Sequence, residues 1–165
     1  MDLVEVALLA ELAAVVAGGL RRRRGLVYSI YSFAHPFRDS GLFAVYAGTG
    51  EKEAAELVPV TLDELRRVQR DVTREELDRA KAQLRAGLLM SLESTGSRAE
   101  QLASQLRVHG RVIPVEETKA KIAAVTVEQV QEAAATAFRG PPTLAALGPA
   151  GKVPTAPAIA EALAA

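Results

Sequence analysis

Apolar residues follow three different rhythms along this chain. From residue 3 to residue 20 they are almost continuous, broken by Glu5 and Glu11. So unbroken a run predicts a helix that is apolar nearly all round and covered on most sides. It starts at Asp2 as N-cap and ends near Ala17, where Gly18-Gly19 stops it. Residues 26–34 and 41–48 change to the β-branched and aromatic composition of strands. Between them His35-Pro36-Phe37-Arg38-Asp39-Ser40 is turn chemistry, so the pair reads as an antiparallel hairpin. Alternation puts Leu26, Tyr28 and Ile30 on one face of the first strand and Val27, Ser29 and Tyr31 on the other. The second strand is apolar on both faces, Leu42, Ala44 and Tyr46 against Phe43, Val45 and Ala47, as in a sheet covered on at least one side.

The third rhythm is helical. Ala54, Leu57, Val58, Leu62 and Leu65 mark a helix over residues 51–70, which Pro59 is predicted to kink or divide near Val58. Thr73-Arg74-Glu75-Glu76 is a capping box. It opens a helix reaching about Leu92, with Leu77, Ala80, Leu84 and Leu88 as its apolar stripe. After a break at residues 93–97, Ser97 or a neighbour caps a helix over 98–108, and Gly110 and Pro114 punctuate the following loop. A short helix over 115–124 precedes a second capping box, Thr126-Val127-Glu128-Gln129, whose helix runs to about Phe138 and is stopped by Gly140-Pro141-Pro142. Residues 143–147 return as a last strand beside the hairpin. This order predicts an α+β fold, with helices packed on one face of a mixed or antiparallel sheet. Residues 1–150 form a single domain, and 151–165 a tail that ends in a docked helix from Ala158.

Composition narrows what such a domain does. The 165 residues suffice for one real core, and with 49% apolar but only 4% aromatic residues that core is built of Leu, Val and Ala. Twenty basic and twenty acidic residues cancel, which gives no basic surface for nucleic acid. The absence of cysteine excludes disulfides and thiolate metal sites. The apolar N-terminal run lacks a preceding basic region and holds two glutamates within about 18 residues. It therefore reads as a helix of a soluble, cytoplasmic protein rather than a leader or a membrane span.

Candidate chemistry collects where the arginine run Arg21-Arg22-Arg23-Arg24 meets Gly25-Leu26-Val27-Tyr28. Were the chain to fold back at Gly25, a guanidinium from Arg21 and the Tyr28 phenol would converge as a donor pair for an oxyanion or a peptide carbonyl. The plainer reading is a solvated arginine cluster followed by a half-buried sheet tyrosine. Elsewhere the sequence holds little chemistry. Its two histidines, His35 in the hairpin loop and His109 at a helix end, have no second histidine at metal-ligand spacing. His109 suits a helix C-terminus, where a cation meets the negative end of the dipole. No Gly-x-Ser-x-Gly elbow and no phosphate loop is present.

The order Arg-x-x-x-Gly-Leu-x-Tyr, an aromatic strand, a hairpin and Ser40-Gly41-Leu42-Phe43 resembles the pitrilysin/insulinase family of zinc metallopeptidases. It is similar in particular to the C-terminal half-domain of short bacterial members related to mitochondrial processing peptidase. The likeness continues through Val72-Thr73-Arg74-Glu75-Glu76-Leu77, Ser97-Arg98-Ala99-Glu100-Gln101-Leu102 and Thr143-Leu144-Ala145-Ala146-Leu147-Gly148-Pro149. Two departures stand out: the family's domains begin with a strand before the first helix, and carry a longer helical segment before the arginine. The family's zinc motif, His-x-x-Glu-His, is absent from this sequence. The resemblance implies a half that holds no cofactor of its own and is inactive alone, with zinc in a partner chain or domain. In it Tyr28 and Arg21 contact the peptide backbone and stabilise the oxyanion, and Arg22 or Arg24 are alternatives to Arg21. The alternative functions are a non-catalytic interaction or scaffolding domain, or a truncated remnant whose unpaired sheet edge favours association.

Overall fold

A computed structural model describes residues 26–37 and 41–164. The predicted first helix and the arginine run, Arg21 included, lie outside the described residues. The hairpin forms as its composition dictates. β1 (Ser29–Pro36) pairs antiparallel with β2 (Gly41–Gly48) in a register that sets Ser29 opposite Gly48 and Pro36 opposite Gly41. Its strand begins later than predicted, because the chain bends at Tyr28. The predicted alternation fails at that bend: Leu26 and Val27 are both buried, whereas Tyr28 is exposed.

Six helices follow among the described residues: α1 (Ala54–Arg70), α2 (Arg74–Ser91), α3 (Thr95–His109), α4 (Val115–Ala124), α5 (Val127–Ala137) and α6 (Ala156–Ala164). Pro59 does not divide α1. Its ring is exposed near the start of the helix, so the one carbonyl it leaves unpaired, that of Ala55, meets water rather than a core. Both capping boxes are present: Thr73 accepts from the Glu76 amide and Thr126 from that of Gln129, while the Glu76 and Gln129 side chains bond back to the cap amides. α3 is capped by Ser94, three residues before the predicted Ser97, which itself donates its amide to the Ser94 hydroxyl. The helix ends at His109 because Gly110 adopts a left-handed φ of 68°, with its amide bonded to Leu106 O.

The main core joins α1, α2 and α5. Val68, Val72, Leu77, Ala80, Val125, Val130 and Ala134 are buried together, and Phe43 from β2 reaches this cluster edge-on to Phe138 at 5.3 Å. A second cluster sets Leu26 and Val27 against Leu57, with Ile30, Ala47 and Val60 around them. Helices thus cover the sheet face bearing Ile30, Phe43 and Ala47, giving the α+β arrangement read from the sequence. Lys81 closes α4 onto α2 by donating to the Ala123 and Val125 carbonyls at 2.9 and 2.6 Å. α6 docks on α1 through buried Ile159 and through the Arg66 guanidinium, which donates to Ala162 O.

One predicted element does not form. Residues 143–147 run without regular structure, and no backbone hydrogen bond joins them to another described residue. A strand needs a neighbour to satisfy its amides and carbonyls. Here a cleft of about 1280 Å³ separates this segment from β2, and both line it.

Glu76 couples α1 to α2. Its carboxylate takes both terminal nitrogens of Arg67, at 2.8 and 3.2 Å, as well as the Thr73 amide. Burial pushes the Glu76 pKa up, but the bonds from Arg67 and Thr73 outweigh this and hold it below the usual 4.5. A carboxylate with a lowered folded pKa stabilises the fold fully above the ordinary carboxylate range and loses that contribution as pH falls through the folded value. Glu76→Ala is expected to cost about 2 kcal/mol at pH 7. The difference in urea midpoint from wild type shrinks as pH falls through the lowered pKa of Glu76, which denaturation curves at pH 7 and at a series of acid pH values would measure.

Candidate functional site

Tyr28 stands where the chain turns into β1. The residues before it are anchored by burial: Leu26 and Val27 are each 6% exposed, against Leu57 and Val60 of α1. Two hydrogen bonds fix the main chain on either side. The Tyr28 amide donates to Gly48 O at 2.8 Å, extending the β1–β2 ladder by one residue, and the Thr49 hydroxyl donates to Leu26 O at 2.5 Å. With its backbone held, the Tyr28 side chain leaves the surface and is 77% exposed. A rigid main chain carrying a free phenol is a pre-organised donor.

Two further residues, missed in the sequence, shape its surroundings. A Cβ on Gly50 would fall 2.4 Å from Glu53 Oε2 and 3.4 Å from the Tyr28 hydroxyl, so glycine is what lets the carboxylate and the phenol close over this position. Glu53 is the N-cap residue of α1, and its side chain makes no capping bond. The site therefore presents a hydroxyl donor and a carboxylate acceptor side by side, the complement of a peptide unit's C=O and N–H. The signal in the sequence was Gly48-Thr49-Gly50 just before a helix, which reads as a break and gives no hint of what approaches it.

Beside Tyr28 the open face of the hairpin carries a row of rings. Tyr31 stacks on Tyr46 at 4.9 Å, Phe33 lies 6.1 Å from Tyr31, and His35 meets Phe33 edge-on at 5.4 Å. Tyr31 and Tyr46 are each half-exposed. His35 is thus part of an aromatic row and His109 ends α3. Among the described residues no group of three or more His, Asp or Glu side chains is placed to hold a metal ion. Arg21 lies outside the described residues, so the geometry of its pairing with Tyr28 is not part of this site. No described helix is long and apolar enough to cross a membrane.

A family profile described as "Peptidase M16 inactive domain" matches residues 4–84. An uncharacterized zinc protease of Mycobacterium bovis is 37% identical over 152 residues, covering 87% of this chain and 35% of that protein. The mitochondrial-processing peptidase subunit beta of Mus musculus is 32% identical over 130 residues, covering 78% of this chain and 27% of that subunit. Among solved structures, a chain of complex III2 from Candida albicans superposes with a TM-score of 0.71 at 21% identity, covering 80% of this chain and 36% of that one, which establishes the shared fold. This chain belongs to the M16, or pitrilysin, peptidase family and corresponds to its C-terminal domain. It spans about a third of the length of the curated relatives it matches.

Proposed function

We propose that this chain is the non-zinc half of a pitrilysin-type metallopeptidase, binding peptide opposite a zinc-bearing partner domain or chain. The observation that carries this reading is the Tyr28 phenol, exposed on a main chain anchored at both sides and set beside the Glu53 carboxylate. The residues present do not fit zinc: the sequence has two histidines and no cysteine, and the histidines serve an aromatic row and a helix end. The metal and the attacking water therefore belong to the partner.

What this half contributes is binding and electrostatics. The Tyr28 O–H donates to the substrate carbonyl and bonds more strongly as negative charge builds on that oxygen, which is the differential binding that lowers a barrier. Glu53 accepts the neighbouring peptide N–H and fixes the register of the substrate. Arg21, seven residues before Tyr28 in the sequence, supplies a second donor.

Titrating the full chain into a His-x-x-Glu-His half of the same family tests this. Cleavage of a fluorogenic peptide should rise and saturate at one chain per partner. A partner whose rate stays flat throughout the titration contradicts the proposal.

A specific observation favours a second reading, that of an interaction domain. α3 buries none of its residues, and Leu102 and Leu106 on it are exposed together with Leu89 and Met90 at the end of α2. In that reading the partner docks on α2 and α3, and replacing Tyr28 is without consequence.

A further inference from the structure

The open face of the hairpin has the features of a side-chain subsite. Helices cover the face of Ile30, Phe43 and Ala47, and the other face carries the cross-strand pairs from Ser29–Gly48 to His35–Leu42. None of the positions on it is Asp, Glu, Lys or Arg. Two of its rings are held by each other rather than by the core: Tyr31 and Tyr46 stack at 4.9 Å with their planes 25° apart, and each is half-exposed. Phe33 follows on the same strand, 6.1 Å from Tyr31. Toward Tyr28 the face is bare. A Cβ on Gly48 would lie 3.0 Å from the Ser29 Oγ and 4.0 Å from the Tyr46 hydroxyl, so glycine leaves the surface before the rings open. The Tyr28 amide bonds to the carbonyl of this same Gly48. The Tyr28 site and the ring row are therefore neighbours across an uncluttered stretch of sheet.

Ring geometry dictates the chemistry of the occupant. Stacked rings turn their faces to each other, so their rims are what they offer a ligand. A rim carries the positive edge of the ring quadrupole. It attracts the negative face of another ring and gives no hold to a cation, which needs a ring face. Nor does a carboxylate stand on this sheet face to pair with a cation. A further ring cannot enter between Tyr31 and Phe33, since two ring contacts in line need about 9 Å, twice the shortest centroid separation of an aromatic pair. It lies across their rims instead. Tyr31 is three residues beyond Tyr28, at most about 10 Å along the strand, a span that an extended peptide covers in three residues. We propose that Tyr31 and Phe33 select peptides bearing an aromatic side chain two or three residues from the carbonyl that Tyr28 holds. Tyr46 backs Tyr31 from β2 with its ring. The inference rests on the reading that the chain binds peptide at Tyr28, and adds the class of residue which that peptide must carry.

Peptide binding to the full chain tests this without a partner. The probes are fluorescein-labelled, amidated heptapeptides of serine and glycine with one central phenylalanine, leucine or lysine. In anisotropy titrations the phenylalanine peptide should bind about fivefold tighter than the leucine peptide. Tyr31→Leu and Phe33→Leu, which keep apolar bulk without the ring, should each erase that difference. In the reconstituted peptidase, moving the phenylalanine along a cleavable peptide should raise kcat/KM only at two or three residues from the scissile bond. Equal binding of the phenylalanine and leucine peptides, tightest binding of the lysine peptide, or a preference that survives both substitutions overturns the inference. So does the failure of all three peptides to bind at millimolar concentration. Cleavage that proceeds at a rate indifferent to the position of the phenylalanine overturns it and leaves the proposed function standing. The converse result, aromatic preference in binding with no cleavage beside any zinc-bearing half, upholds the subsite and counts against the proposed function alone.

Discussion

Tyr28→Phe lowers kcat of the reconstituted peptidase by about 10²-fold while KM stays within about threefold. The substitution removes one hydroxyl and keeps the ring. That hydroxyl sits on a side chain 77% exposed, so the fold should lose no more than about 0.5 kcal/mol and the urea midpoint should not move. An interaction made mainly with the developing oxyanion shows in kcat, whereas one made equally with the ground state would raise KM alone. Tyr46→Phe is the control. Its ring stacks on Tyr31 in the same hairpin, and the variant should keep the wild-type rate. Equal kcat in Tyr28→Phe and wild type would favour the interaction-domain reading.

Val130→Asp is expected to abolish cooperative unfolding altogether. Val130 is fully buried among Val68, Leu77, Ala80 and Ala134, where α1, α2 and α5 meet. No buried polar or charged side chain exists among the described residues, so a carboxylate there would find nothing to pair with. An unpaired buried charge costs several kcal/mol, a large part of the roughly 5–15 kcal/mol that holds a domain together. Val130→Ala, which leaves only a cavity, should cost about 2 kcal/mol and retain a single sharp transition. Circular dichroism melts of the two variants would check both outcomes. A folded, cooperative Val130→Asp would mean that this helix junction is not the centre of the core.

Local chemistry was the legible part of this sequence. Capping boxes at Thr73 and Thr126 involve residues three positions apart, so their geometry follows from the helix itself. The hairpin was equally legible, because turn residues and alternation specify an antiparallel pair without outside help. Residues 143–147 show the opposite case. Their strand-like composition states a preference, but a strand exists only against a neighbour, and the neighbouring edge lies across a cleft. Pro59 was read from the hydrogen bond it removes, and the fold's answer depended on which side of α1 faces water.

The site divides in the same way. Tyr28 could be singled out by its place in a motif, and the exposure of its side chain came from a bend that strict alternation does not foresee. Glu53 could not be found, since its approach to Tyr28 runs through Gly50 and depends on hairpin register and the start of α1 together. The metal ligands are a matter of composition: two histidines distant in sequence cannot make the family's zinc motif, whatever the fold.

Donors without a metal is therefore the claim to test most directly. The purified chain would be dialysed against excess zinc, desalted, and assayed for bound metal and for peptide cleavage in the same sample. Zinc well below one ion per chain, with no cleavage until a zinc-bearing half is added, is the predicted result. One tightly held zinc per chain, together with cleavage by the chain alone that a chelator stops, would contradict it.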